Sequence, residues 1–513
     1  MRFTLLALLA LVPTVALAQS TPQMDRRVTL SGPTGLNWAM GTKVDVQNGS
    51  LKNPTETGGT YDGFTLGANT PGVGTFKALT IPSGGSVSGD FSAATLTQPS
   101  NVSKMTLQGL LNNLGIVPDA YVQTGDNGDW ALAINRASVA ACSLGVPVRF
   151  QSHTYALAST ASPQCVGQMW IGQKWTESLG THGTWFSISD PAINPLQVRF
   201  GAVVIDSIAF AQSHPAPSAT YPTAWQPTTY QPVIQVLGAT GVSLRNIFLD
   251  GVYAGIFADG SGRLTLDNIY GQVFNKGIVV QHSLDSDHYG HIHFWPYWSS
   301  NPNVLAYTAT NLVTFLTGRV DTAFLTDMFT YSANVGLELA EDTATSSYSG
   351  SIGPTTKFRA HTVSCDGTRY CVAVAGTGVT AHIDSINEQG QDFAASVGGQ
   401  SLASLTASQA LHIASGQAVL QIGDIQAQFI QQSSLGSTST TGCSYIKIGS
   451  LFVDWKYSAS NPYYVDAVQC AGTSAYNTFL FSTPPFGQNS TGTVTGQTSN
   501  GGASLMWAAV TAH

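Results

Sequence analysis

Charged side chains are scarce in this chain. Asp, Glu, Lys and Arg make up 9% of its 513 residues, against roughly a quarter in an ordinary soluble domain. What charge there is leans acidic, 28 carboxylates to 20 basic groups, for a formal net charge of −8. No cluster of Lys and Arg is large enough to grip a phosphate backbone, which excludes nucleic acid as a partner. No apolar run reaches the eighteen or so residues of a spanning helix, so no membrane span is expected. C-x-x-C pairs and zinc-type cysteine spacings are missing, which removes the redox and structural-zinc readings. The Leu-, Lys- and Glu-rich stretches of a helical protein are missing too. General disorder is excluded in turn, because a chain with 43% hydrophobic residues can bury enough surface to offset its ordering entropy. What remains is a large, β-rich protein with 53 glycines and mostly uncharged polar residues.

The first twenty residues, MRFTLLALLALVPTVALAQS, hold one Arg, a mostly apolar run from Phe3 to Val12 and an Ala16-Leu17-Ala18 end. They read as a secretory signal cut after Ala18. The expectation is a secreted or periplasmic protein without a lipid anchor. Six cysteines in an exported chain permit disulfides, and six allow fifteen pairings. Proximity in sequence favours Cys142 with Cys165, Cys365 with Cys371, and Cys443 with Cys470.

Residues 19–115 are rich in Gly, Thr, Ser and Pro, and their strands are broken every few residues. The string GGTYDGFTLGANTPGVGTFKALT, from Gly58 to Thr80, resembles a Gly-Gly-Thr-x-Asp-Gly unit of phage tail fibres and tailspikes. That resemblance implies a stem-like region and a homotrimer. Next, in 116–160, Ala131, Ile134, Ala137, Val139 and Ala141 mark a short amphipathic helix. Gly145 ends it, and Val146, Val148 and Phe150 alternate as a strand. This resembles the N-terminal part of pectate-lyase-superfamily β-helices, with Gln151-Ser152-His153-Thr154-Tyr155 in place of the usual Pro-x-Gly-Thr-Tyr. The resemblance implies a helix that caps the open end of a solenoid, where bare strand edges would otherwise pair with other chains.

From 161 to 483 the chain repeats one short pattern: apolar, any residue, small polar, apolar. It reads Ile205-Asp-Ser-Ile208, Leu244-Arg-Asn-Ile247, Leu266-Asp-Asn-Ile269, Tyr289-Gly-His-Ile292 and Leu325-Thr-Asp-Met328. It continues as Ala360-His-Thr-Val363, Ile383-Asp-Ser-Ile386, Ile422-Gly-Asp-Ile425 and Ile448-Gly-Ser-Leu451. The copies stand 22 to 39 residues apart, the short spacings one bare coil and the long ones a coil with an inserted loop. A second apolar column follows nine residues on, Ile247 to Ile256, Ile269 to Ile278, Met328 to Leu337 and Val363 to Val372. In the first three, Gly255, Gly277 and Gly336 precede it, as a tight corner would require. The fold expected is all-β: a right-handed parallel β-helix with an N-terminal capping helix and a small β-rich stem, its hand given by the family resemblance and the crossover rule. Residues 484–513 read as a low-complexity tail.

Inserts fall near 211–232, 294–320, 343–358 and 394–412. The first two carry Tyr221, Trp225 and Tyr230, then Trp295, Tyr297, Trp298 and Tyr307. Such rings either offer platforms for the C–H faces of sugars or simply pin the loops. The densest polar cluster is SLDSDHYGHIHFWPYW, Ser283 to Trp298. If Ile292 points inward, His293 faces out in line with Phe248, Tyr270 and Phe329, and His291 takes the bend position. The spacing His288-x-x-His291-x-His293 would admit zinc, but the sequence assigns no metal and no cofactor. A His beside a carboxylate can act as general acid or base. Paired carboxylates are the usual means of cleaving a glycosidic bond. The candidates are Asp250, Asp259, Asp267, Glu338, Glu341 and Asp342, with Asp259 beside Asp285 or Asp287 as the preferred pair.

The polygalacturonase motifs are absent, and Arg245, Arg263, Lys276 and Arg319 are the few bases of the central coils. A neutral or weakly charged polysaccharide fits better than an acidic one. The expected function is to bind, and by hydrolysis to cleave, a bacterial polysaccharide. A polysaccharide lyase, a non-catalytic glycan-binding surface protein and a structural fibre or adhesin stay open. Expected catalytic residues are Asp259, Asp285, Asp287, His293 and Glu338. Expected substrate-binding residues are Trp225, Tyr270, His291, Trp295, Tyr297 and Trp298.

Overall fold

The computed structural model describes residues 115–177, 182–390 and 408–430. It also describes the stretches 433–437, 442–455, 463–466, 478–483, 485–489, 499–500 and 505–507, and an antiparallel pair of Thr95–Leu96 with Met105–Thr106. The signal segment, the Gly58–Thr80 unit with its implied trimer, Cys470, the insert at 394–407 and most of the tail lie outside the described residues.

The repeat folds as a right-handed parallel β-helix. Each copy of the pattern contributes two straight segments with a polar bend between them, and each coil pairs in parallel with the next. The long strands Ser243–Asp259 and Thr265–Gln281 show this plainly, pairing Leu244 with Leu266, Ile247 with Ile269 and Ile256 with Ile278. The column of Ile247 then runs through Ile269, Ile292, Met328, Val363, Ile386, Ile425 and Leu451, partner to partner. The column of Leu244 runs alongside it from Ile205 to Ile448. The second column holds as well, Ile256, Ile278, Phe315, Leu337, Val372 and Leu411. All of these residues are buried in one continuous core. Each fully buried Ile or Leu side chain contributes about 1.5–3 kcal/mol, which makes the stacked columns the main source of stability.

The bends need a left-handed backbone in the first coils. Ser207, Asn246, Asn268 and His291 have φ of 61°, 51°, 56° and 44°, a region that Asn tolerates better than most residues. Their side chains stack coil on coil: Asn268 Nδ2 donates to Asn246 Oδ1 (2.9 Å), and Asn246 Nδ2 to Asp206 Oδ1 (2.8 Å). The glycines before the second column have a different reason from the one expected. Gly255 and Gly277 lack positive φ, but a Cβ on either would stand 2.3 Å from the backbone carbonyl of the next coil. They permit close approach rather than a corner.

The helix Trp130–Leu144 covers the N-terminal end. The Asp129 carboxylate accepts from the Ala131 N–H (3.0 Å), and Gly145 at φ +66° closes the other end. Its inner face is small, Ala131, Ala133, Ile134, Ala137 and Ala141, so the helix lies flat on the first coil. Disulfide Cys142–Cys165 ties it down, and Cys365–Cys371 bridges a second tight connection, both as paired from sequence. Cys443 is also disulfide-bonded. A second helix, Pro302–Asn311, packs over the strand Thr265–Gln281 as part of the 294–320 insert. No helix among the described residues is long and apolar enough to cross a membrane.

Candidate active site

The outward side chains of the segment after the bend form a column of their own: Phe248, Tyr270, His293, Phe329, Ser364, Asn387, Gln426 and Phe452. Two loops wall its aromatic end. From 173–177, Trp175 stacks on Phe248 (centroids 4.5 Å, 17° between planes) and donates its Nε1–H to the Asn246 carbonyl (2.7 Å). From the other side Tyr297 meets Phe248 at 5.4 Å and His293 at 6.2 Å. Trp295 lies over Phe329 and Tyr331, at 6.0 and 4.8 Å, and stays 41% exposed.

Inside this rim sit the acid–base groups. His291 Nδ1 lies 2.7 Å from Asp327 Oδ2, with both side chains open to solvent (47% and 41%). Tyr270 is 5.4 Å from the His291 ring and 5.7 Å from His293. Burial raises the Tyr270 hydroxyl pKa, and the carboxylates of Asp327, Asp267 and Glu177 raise it further. Burial likewise pushes Tyr297 up to about 12, with help from Glu177 and Tyr270. His293 is shifted down, first by burial and then by His291, so its neutral form is favoured. Asp267 leans across Gly290, its Oδ1 2.9 Å from where a Cβ would stand. Asp327 leans back from the following coil onto His291. The two carboxylates therefore approach Gly290 and His291 from the coil before and the coil after.

The structure gathers Tyr270, His291, His293, Trp295 and Tyr297, five of the residues singled out from sequence. It does not form the preferred carboxylate pair. Asp259 is buried and accepts from His282 Nδ1 (2.8 Å) and Ser346 Oγ (2.9 Å). Asp285 is exposed in an ion pair with Arg263 (3.3 Å). Asp287 is fully enclosed and accepts three hydrogen bonds, from Leu264 N–H, Ser283 Oγ and Tyr289 Oη. Glu338 stands on another sheet in the column of Phe257, Val279 and Leu316, where burial raises its pKa against the pull of Lys276.

Trp225 and Trp298 pin the loops. Trp225 is buried against Phe274 and Trp298, its Nε1–H on the Pro215 carbonyl (2.8 Å). Trp298 packs so closely on Gly251 that a Cβ there would meet its ring at 2.5 Å. The histidines do not converge as a zinc set: His288 faces another side, stacked on Phe324. Trp175, Glu177 and Asp327 were missed. Asp327 occupies the polar slot of the repeat, where it reads as one more bend residue. Trp175 and Glu177 come from a loop that carries no copy of the pattern.

No protein-family model matches the chain, and no curated protein matches it. Among solved structures it is similar to the Azotobacter vinelandii mannuronan C-5 epimerase AlgE6 A-module, with TM-score 0.47, 10% identity, and 77% of this chain and 98% of that one covered. It is also similar to the catalytic domain of a GH87 alpha-1,3-glucanase in complex with nigerose, with TM-score 0.44, 11% identity, and 82% and 70% covered. A third is the catalytic unit of a thermostable GH87 alpha-1,3-glucanase from Streptomyces thermodiastaticus, with TM-score 0.33, 9% identity, and 77% and 70% covered. These likenesses concern the course of the backbone. The class, a right-handed parallel β-helix, rests on the strand register itself.

Proposed function

We propose that this is an exported polysaccharide-cleaving protein, its signal cut after Ala18, that hydrolyses glycosidic bonds at Asp267 and Asp327. One observation carries the reading: Asp267 from the coil before reaches Gly290 and Asp327 from the coil after reaches the His291 ring, beside the exposed ring of Trp295, which supplies the two carboxylates that acid-plus-base or acid-plus-nucleophile cleavage needs. Tyr270, His291 and His293 supply donors and acceptors for sugar hydroxyls, and Trp295 a face for the ring. The carboxylates around them, Asp267, Asp327 and Glu177, suit a neutral polymer better than an acidic one. Disulfides in the fold suit an oxidising compartment outside the cytoplasm.

The test incubates purified protein with a panel of neutral and acidic bacterial exopolysaccharides. Reducing ends and the ultraviolet absorbance of unsaturated uronates are followed together. New reducing ends without absorbance, lost by about 10²–10⁴-fold in Asp267→Asn and in Asp327→Asn, are expected. Rising absorbance would instead make it a lyase, and binding without new ends a glycan-binding surface protein.

A further inference from the structure

The outward column that holds Tyr270 and His293 does not end with the aromatic rim. It continues through Ser364, Asn387 and Gln426 to Phe452, five strand steps from His293, about 24 Å at the usual strand spacing. The bend column beside it turns from His291 and Asp327 to Thr362, Ser385, Asp424 and Ser450. From Thr362 and Ser364 onward, none of the side chains in the two columns is basic. At the far end the face sinks into an open depression of about 450 Å³, lined by Asp424, Gln426, Ser450, Phe452, Thr483 and Phe486. Phe486 is 52% exposed and lies nearly parallel to Phe452 (5.5 Å, 28°). Asp424 is held by the Ser385 hydroxyl (3.0 Å).

We propose that this depression is a remote subsite for the same carbohydrate chain, which runs along the β-helix axis from the Tyr270–His293 site to Phe486. The inference rests on the proposed polysaccharide reading and adds the direction and reach of the bound polymer. A sugar unit is about as long as one coil is high, so a chain laid along the axis meets one rung of polar side chains per unit. Between the two aromatic ends those rungs are hydroxyls and amides, which pair with sugar hydroxyls in either direction as donor or acceptor. An exposed ring over a polar-walled hollow is the arrangement that takes the C–H face of a sugar while its hydroxyls reach the walls. An acidic polymer would meet the Asp424 carboxylate in the depression, whose lining holds no basic side chain, so the occupant there is neutral.

The test measures binding of neutral gluco- and manno-oligosaccharides, as disaccharides and as octasaccharides, to the full chain and to two variants. Phe486→Ala is expected to weaken the octasaccharide by roughly three- to tenfold, the size of a lost ring contact, and to leave the disaccharide unchanged. Trp295→Ala should weaken both. Phe486→Tyr, which restores a ring, should bind the octasaccharide like the native chain and shows whether the Ala variant lost the platform or its fold. Equal loss on both lengths in Phe486→Ala, or no loss on either, would overturn the subsite while leaving the polysaccharide reading intact. No binding of any oligosaccharide by the native chain would overturn both.

Discussion

Enclosed carboxylates in this protein divide by the partners they find. Asp287 takes three donors and holds a turn. Asp250, 8% exposed, has no hydrogen-bond or ionic partner among the described residues, and burial alone pushes its pKa up to about 6. Glu388 is more extreme. It stands inside the helix in the column of Cys365 and Ala427, with both oxygens unpaired. Burial first, and Asp366 second, raise its pKa well above the usual carboxylate range. Both groups fold most easily as neutral acids. Protonation then favours the folded state more than the unfolded one, so their contribution is full below the ordinary carboxylate pKa and is lost as pH rises to the folded value. For Asp250 that window runs from about 4 to about 6. Asp250→Asn should match the native chain in chemical denaturation near pH 4 and exceed it by roughly 1–3 kcal/mol near pH 8. Equal stabilities at both ends would mean that the carboxylate finds water or a partner. Glu388→Gln should raise stability at neutral pH for the same reason, read by thermal melting, since an amide carries no ionisation cost in a dry interior. Neither site was legible from sequence. Asp250 is one acid among many there, and Glu388 breaks the very alternation that marks its neighbours as core.

At the scale of one coil, the bend and the loop clamp can each be tested alone. Asn268 sits at φ +56° and donates to Asn246. Asn268→Ala gives up that bond and adds strain in the left-handed region, about 1–2 kcal/mol in all. Asn268→Gly loses the bond without the strain and should cost less. If Ala and Gly cost the same by urea titration, the bend owes nothing to φ. The bends were readable because a polar residue before each Ile recurs in step with the core.

The clamp was not readable, because its parts lie far apart in sequence. His282 Nδ1 meets Asp259 Oδ1 (2.8 Å) and Nε2 meets the Ala344 carbonyl (2.9 Å), while Asp342 accepts from the His282 and Arg319 backbone N–H groups. With an acceptor at each nitrogen the ring is held as imidazolium. Burial opposes that charge, but the Ala344 carbonyl, Asp342 and Asp259 outweigh it and raise the pKa. The stabilisation is therefore complete below the ordinary His value, near 6.5, and fades as pH climbs through the raised one. Amides of residues 343–352 should lose hydrogen-exchange protection over that upper range beyond the intrinsic rate. In His282→Gln their protection should be low and flat with pH. A native loop whose protection ignores pH would show that the ring is neutral.

Across the whole molecule, a solenoid spreads its stability over nearest neighbours, and damage stays where it is made. The sequence revealed this architecture well, since the Leu244 and Ile247 columns demand it residue by residue. It revealed the candidate site only in part: Tyr270 and His293 follow from strand parity, whereas the approach of Asp267 to Gly290 and of Asp327 to His291 depends on how side chains lean between coils. The same locality makes the cap a separable unit. Its inner face is chiefly alanine, which buries little area per residue, so much of its hold comes from Cys142–Cys165, a staple with a sequence separation of 23 residues. Closing a loop of that size is worth about 3 kcal/mol through the unfolded chain. Replacing both cysteines by Ala should therefore loosen the cap selectively. Hydrogen exchange is expected to quicken over residues 115–171 and stay unchanged from 243 to 389. The edge at Val148 and Arg149 pairs with Trp170 and Ile171 on one side and with the Ile116 backbone on the other; bared as the Ile116 segment comes away with the cap, it would then template association with other chains. Light scattering should rise with time and concentration while the central coils keep their protection. Uniform quickening along the chain would instead mean that the coils unfold as one cooperative block and that the cap holds the whole solenoid together.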